Sequence, residues 1–446
     1  MLWAAKECGT ASFGDARLTQ RLVSLCTKLA EHPASSLPEA LGQWSDTKAA
    51  YRFLDNEKVT VEAIYDAHRT ATLDRIEGER VILAVQDTTL FNFTDRKVEG
   101  LGPIREADLT GFLLHSSLAL TTEGVPLGIL AHRLWVRAME GTDSRNTRRK
   151  RPLQDKESAR WVDVTREVAD SVPAATRVIM IGDRESDIFD LFLLSTSNYD
   201  FLIRAAWNRR LDQSQDYLWH AVETAPVLGS TTIKVPRADE RPEREATFTL
   251  QTALVALRAP HHRMKERLPA PTLNALLIRE QSPTEGAKPL EWMLLTTLPI
   301  NTLGDALRCL TWYTYRWRVE RYHYILKSGC QVQKLQLETK DRLMRAVAVY
   351  SIVASRLLWL TYHARQTPGA PCTIALSDSE WRALYACTHK TNILPDCPPD
   401  IQTAVLWIAK LGGFLGRKSD GQPGVKVLWR GFRRLQDITD MWELFH

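Results

Sequence analysis

"RVILAVQDTTLFNFT", Arg80–Thr94, carries five consecutive apolar residues, Val81–Val85, and ends in a stretch where Phe91 and Phe93 alternate with polar residues. A continuous Val/Ile/Leu run of this length suits a strand covered on both faces, as in the middle of an α/β sheet. Asp87 interrupts the run where another Val or Ile would be expected. A carboxylate there is expensive unless it is paired or bound to a metal. Downstream, "LLHSSLALTTEG" (Leu113–Gly124) and "VPLGILAHRLWVRA" (Val125–Ala138) read as two strands joined by the "TTEGVP" turn, an antiparallel hairpin. "ESARWVDVTREVADSV" (Glu157–Val172) has helical spacing, "RVIMIGDRESD" (Arg177–Asp187) begins as a wholly apolar strand, "IFDLFLLS" is a short helix, and "YDFLIRAA" (Tyr199–Ala206) is another strand. Three strands, a helix, a buried strand, a helix and a strand predict a mixed α/β layer.

A second acid, Asp183, lies just past the carboxyl end of the strand in "IMIGDRESD", where α/β sheets place their ligands. Either aspartate alone is weakly diagnostic, because helix caps and turns also use Asp. Around this layer the texture changes. Residues 1–70 read as a small basic helical domain: "DARLTQRLVSLCTKLAEH" sets Leu18, Leu22, Leu25 and Leu29 at helical spacing after the cap Asp15, with Arg17, Arg21 and Lys28 on its polar side, and "DTKAAYRFLDN" adds Lys48 and Arg52. Residues 71–345 form the α/β domain, interrupted over 206–290 by alternating, Pro-broken stretches that predict a β-rich insertion. "LEWMLLTTLP" (Leu290–Pro299) restores the apolar strand, and 346–446 are helical.

A third acid comes from "WYTYRWRVERYHYILK", Trp312–Lys327. Treated as one helix at about 100° per residue, Tyr313, Arg316, Glu320 and Lys327 share an arc of roughly 60°. Tyr315, Val319, Tyr322, Ile325 and Leu326 form an apolar stripe on the other side. Asp87, Asp183 and Glu320 are hard oxygen donors of the kind that hold Mg²⁺ or Mn²⁺. Two such ions could activate a water or a 3′-hydroxyl for in-line attack on a phosphodiester.

Composition narrows the classes. The chain has 446 residues, 44% hydrophobic and 25% charged, with a formal charge of +5 that permits a polyanionic partner without demanding one. The basic run "RNTRRKR", Arg145–Arg151, is a candidate phosphate-contacting loop. Seven scattered cysteines without a C-x-x-C pair argue against a disulfide framework or structural zinc and fit a reducing compartment. With no signal-like start and no run of about 18 apolar residues, the expectation is a cytosolic protein without a membrane span.

The pattern Y-x-x-R-x-x-x-E-x-x-x-x-x-x-K, met by Tyr313, Arg316, Glu320 and Lys327, resembles the signature of DDE transposases of the transposon-five and insertion-sequence-four group. "GDARLTQRL", "AAYRFLDN", "GDRESDI", "FLIRAA", "LEWMLLTTLP" and "IAKLGGFLGRK" extend the similarity over nearly the whole chain. The resemblance implies an RNase H-like mixed-sheet core with a β-rich insertion, an N-terminal domain that binds DNA ends, and a C-terminal dimerisation region. It also implies a cut-and-paste transposase that binds transposon ends as a homodimer, cuts them through a DNA hairpin and joins the 3′ ends to target DNA. By the same resemblance Asp87, Asp183 and Glu320 would bind two Mg²⁺ or Mn²⁺ ions, and Tyr313, Arg316 and Lys327 would hold phosphates. Trp292 would receive a flipped base, Trp317 would fill the vacated stack, and Arg204 and Arg184 would contact DNA. Tyr324 departs from the pattern, standing where a basic residue would help grip DNA. Two other readings stay open: an RNase H-fold nuclease or resolvase without strand transfer, and a non-catalytic DNA-binding regulator derived from a transposase.

Overall fold

The computed structural model describes residues 2–445 apart from 105–108, 139–150, 195–197, 213, 215, 236–243, 282–288 and 418–419. Most of the "RNTRRKR" run, up to Lys150, therefore lies outside the described residues. The strands are β1 (Val81–Asn92), β2 (Gly102–Pro103), β3 (Thr110–Leu120), β4 (Pro126–Trp135), β5 (Arg177–Gly182), β6 (Tyr199–Arg204), β7 (Val227–Val235), β8 (Arg244–Ala256), β9 (Thr272–Glu280) and β10 (Glu291–Thr296). The chain packs as two compact units, one of residues 78–87 and 141–317, the other of 1–77, 88–140 and 318–446. One boundary falls inside β1, between Asp87 and Thr88, and another between Trp317 and Arg318.

In the first unit, the inner half of β1 pairs in parallel with β5, and β5 in parallel with β6. β10 then joins β6 antiparallel, and β9, β8 and β7 follow by antiparallel pairing. The apolar runs occupy the middle: Ile82–Val85 of β1 and Val178–Ile181 of β5 are wholly buried. This accounts for the absence of polar alternation in both strands. The stretch expected to form a β-rich insertion supplies β7, β8 and β9, which lengthen the sheet outward from β10. The helix Ala159–Ser171 buries Trp161, Val162, Val164 and Val168, and its Thr165 hydroxyl accepts a 3.2 Å bond from the amide of buried Gln86.

The second unit gathers around the helix Lys340–Gln366, which packs on β4 and on the helices Ala16–Glu31, Trp44–Asp55 and Val61–Ile76. Asp15 caps Ala16–Glu31, accepting from the Arg17 amide as its sequence position suggested. Of the described helices, Lys340–Gln366 alone is long and apolar enough to cross a bilayer, and 78% of its apolar window is buried in the fold, as in a core helix. β3 and β4 form the anticipated hairpin, with the outer half of β1 beside β3. The helices Asp378–His389, Ile401–Leu411 and Val425–Phe445 enclose a separate core that includes Trp381, Leu384, Ile408 and Leu428.

One expectation is corrected. Trp312–Lys327 is not a single helix. Leu303–Thr314 ends in a tight turn, where the Tyr315 and Arg316 amides bond the Trp312 and Tyr313 carbonyls at 3.1 and 3.0 Å. A new helix runs from Trp317 to Tyr324, and the chain then widens into a π turn at Ile325–Gly329, closed by Cys330 N to Ile325 O at 2.8 Å. The apolar stripe is buried at Val319, Tyr322, Ile325 and Leu326 as anticipated, but Tyr313 and Arg316 are buried too instead of facing outward. A 100° projection cannot foresee a break, because the break depends on the packing of each half.

Gly182, the last residue of β5, is needed for close approach. A Cβ there would lie 2.2 Å from Ser186 Oγ and 2.7 Å from Ser186 Cβ, while that hydroxyl donates a 2.6 Å bond to the Asp183 carbonyl. Gly182→Ala should destabilise the protein by about 1–3 kcal/mol in urea unfolding, and adding Ser186→Gly should recover most of the loss. A second outcome concerns Glu31, whose carboxyl is pushed up to about 7 by burial and by the charges of Glu380 and Asp440. An acid whose pKa is raised on folding holds its proton more tightly in the native state, so stability falls as pH rises from about 4.5 towards 7. Glu31→Gln should flatten that slope in thermal melts without divalent cations.

Candidate active site

The β1–β5 pairing runs from Val81 with Arg177 to Val85 with Ile181. Carried two residues further, the same register sets Asp87 opposite Asp183, at the carboxyl ends of two adjacent parallel strands. Both are half-buried. Asp183 caps the turn Arg184–Ser186, accepting from the Glu185 amide at 2.8 Å. Burial pushes its carboxyl above the usual range; the charge of Asp87 adds to the rise, and the Glu185 amide, Arg316 and Arg160 oppose it. Glu185 is raised in the same way, first by burial and also by Asp183 and Asp87, while Arg160 at 2.8 Å opposes the rise. Sequence reading passed over Glu185 and Arg160; a second acid in "GDRES" was the available signal. Among the described residues, no group of three or more His, Cys, Asp or Glu side chains is gathered at metal-binding spacing. This unit thus holds a carboxylate pair at its centre.

Cations stand next to that pair. Gly182 pairs with Ile203, so Arg204 follows at the level of Asp183. Its guanidinium donates to the Glu291 carbonyl at 3.1 Å and is hydrogen-bonded to Tyr313. Burial lowers the Arg204 pKa, with Arg184 and Arg316 pushing the same way and Tyr313 opposing. Three arginines thus stand within electrostatic reach of one another, Arg184 exposed, Arg204 half-buried and Arg316 buried. Burial raises the Tyr313 hydroxyl, against the pull of Arg316 and Arg204. Arg316 is 8% exposed, and its guanidinium carbon lies 5.0 Å from the Trp317 ring centre. The Trp317 indole is 61% exposed, whereas Trp292 is half-buried and stacks on Phe248 with ring centres 5.7 Å apart.

The other unit carries Glu320 and Lys327, both half-buried. Lys327 Nζ sits 5.6 Å from the Phe91 ring centre, on the π turn. Two contacts that sequence reading missed brace this region. Thr88, the residue after Asp87, shares a 2.9 Å hydrogen bond with His115 Nδ1. His323, three residues after Glu320, shares one of 3.2 Å with Ser116 Oγ. His115, Ser116 and Ser117 are fully buried in β3, and a polar trio inside "LLHSSLAL" was the signal that could have found them. In the N-terminal helices Arg17 turns onto Asp15 at 2.9 Å, Arg21 donates to the Ala49 carbonyl at 3.2 Å, and Arg52 is exposed.

Three family models match in succession: Transposase DNA-binding over residues 1–59, Transposase DDE domain over 155–355, and Transposase Tn5 dimerisation domain over 352–443. The DDE match contains Asp183 and Glu320; Asp87 precedes it and is tied to Asp183 by strand register. With a carboxylate pair at the end of a mixed sheet and matched DNA-binding and dimerisation domains on either side, the chain belongs to the Tn5-like DDE transposases, metal-dependent enzymes that cleave DNA and transfer its strands.

Proposed function

We propose that this transposase works by cut-and-paste, as a homodimer on paired transposon ends, with Asp87, Asp183 and Glu320 as its catalytic acids. The observation that carries the reading is the register of β1 and β5, which sets two carboxylates side by side; burial raises the Asp183 pKa and the charge of Asp87 adds to it. Hard oxygen donors, like-charge repulsion and half-burial suit a divalent cation, and Asp87, Asp183 and Glu320 would hold two Mg²⁺ or Mn²⁺ ions. When bound, such ions lower the pKa of an attacking water or 3′-hydroxyl and neutralise charge on the leaving oxygen.

The remaining work falls to the chain. Arg316, Arg204 and Arg184 attract and orient the scissile strand by its phosphates, and Tyr313 hydrogen-bonds a phosphate oxygen, as Lys327 does from its π turn. The burial of Tyr313 and Arg316 keeps water from screening these contacts. Release of both strands through a hairpin requires a sharply bent end; Trp292 would take the flipped base and Trp317, already exposed beside Arg316, would fill the gap. Arg17, Arg21 and Arg52 serve the N-terminal domain in gripping the terminal repeat, and the freed 3′ ends are joined to target DNA. We place this activity in the cytosol or nucleoid.

The test is a plasmid carrying the element with its flanking DNA, incubated with protein and Mg²⁺ and resolved on a denaturing gel. Wild type should release the element, form a covalently closed hairpin end and insert it into a second plasmid. Asp87→Ala and Glu320→Ala should each lower cleavage by at least about 1,000-fold. Full activity of Glu320→Ala would overturn the assignment, and release without insertion at any enzyme level would favour a nuclease. Asp183→Asn should abolish cleavage yet, without divalent cation, raise rather than lower Tm at neutral pH, because it removes a repelled, partly desolvated charge.

A further inference from the structure

We propose that Trp207, with Tyr217 and Arg210, forms an additional DNA-binding platform that stacks an unpaired nucleotide beside the cleaved phosphate. The inference rests on the catalytic reading above for which DNA is present, and on the following geometry for where it binds.

Trp207 comes three residues after Arg204, where the chain leaves β6. Its main chain is unusually well held. Asp187, whose side chain is fully buried, accepts the Ala206 and Trp207 amides on Oδ2 at 2.8 and 3.1 Å. The same carboxylate accepts the Arg209 guanidinium on Oδ1 at 3.0 and 2.6 Å, and the Asp187 carbonyl takes a further 2.7 Å bond from Arg209. The neighbouring chain is held as well: Asn208 accepts the Trp219 amide through Oδ1 at 3.1 Å, the Arg209 carbonyl accepts the Leu218 amide at 2.9 Å, and Arg210 bridges Tyr217 antiparallel. A buried, charge-assisted network of this kind is expensive to build and rigidifies what it holds.

What it holds is an exposed indole. Trp207 is 63% exposed and Tyr217 46%, and Asn208 and Arg210 are exposed as well. A large aromatic normally repays its size by burial. Here the buried Asp187 and the largely buried Arg209 hold the chain so that Trp207 stays outside in one position, with Arg210 three residues further along. Rigid aromatic faces beside arginine are the means by which proteins stack unpaired bases without reading their sequence. The location fits, because Asp187 lies four residues after Asp183 and Trp207 three after Arg204, both at the carboxyl end of β5 and β6.

The experiment measures binding of a fluorescent oligothymidylate of about 20 nucleotides to the full chain without divalent cation, across a salt series. Trp207→Ala should weaken binding by roughly 5- to 100-fold, the range for loss of one stacked base, whereas Trp207→Phe should stay within about threefold of wild type. The slope of log K against log salt should be unchanged by Trp207→Ala and reduced by about 0.7 by Arg210→Ala, which removes one phosphate contact. In oligothymidylate with scattered 5-iododeoxyuridine, light should crosslink a base to Trp207 or Tyr217, identified by peptide mass. Wild-type affinity in Trp207→Ala, or crosslinks confined to other residues, would overturn the proposal. So would a change in dimerisation with DNA binding intact, which would assign the patch to a second copy of the chain. Because no divalent cation is present, loss of this result leaves the cleavage test of Asp87 and Glu320 untouched, and the reverse holds too.

Discussion

Two parallel strands that end at the same level are the constraint on which the rest depends. β1 and β5 carry fully buried apolar runs and lie side by side within the sheet, and their pairing sets the heights of Asp87 and Asp183. At that edge burial gives way to partial exposure, and the carboxylates meet there. A carboxylate one turn deeper would be neutral or unaffordable; one further out would be too well solvated to have its charge felt.

The site is left electrostatically incomplete on both sides. Burial, with nearby like charge adding to it, makes Asp183 and Glu185 harder to ionise and holds Arg204 below its usual value. Folding alone gains nothing from either crowding. Under the proposed reading, cations beside the acids and a phosphate beside the arginines would relieve both. Proteins accept such local cost where function requires it and recover stability elsewhere, here in the wholly apolar strands and the Lys340–Gln366 core helix.

The chain passes between its two units at Asp87–Thr88 and Trp317–Arg318, each within three residues of an expected catalytic acid. On one side of those crossings stand the aspartates and arginines, on the other Glu320 and Lys327. β3 braces the latter side: adjacent buried residues His115 and Ser116 bond to Thr88 and His323. A buried polar contact is specific in geometry because its alternative is an unsatisfied group. These bonds therefore suit residues whose neighbours must not drift.

Much was legible along the chain because it is local. Continuous apolar runs marked β1 and β5, the turn chemistry of "TTEGVP" marked the β3–β4 hairpin, and the signature spacing marked Tyr313, Arg316, Glu320 and Lys327, since periodicity and side-chain chemistry are written in neighbouring residues. Which strands pair, and at what height, is set by packing between residues far apart in the chain, so that Asp87 sits level with Asp183 and Arg204 beside them could only come from the fold. The same holds for the break at Tyr315–Arg316 and the π turn after Tyr324, where tertiary packing overrode a helix that sequence alone favoured. The anchored, exposed Trp207 belongs here too, because a tryptophan's exposure depends on what the rest of the chain leaves uncovered.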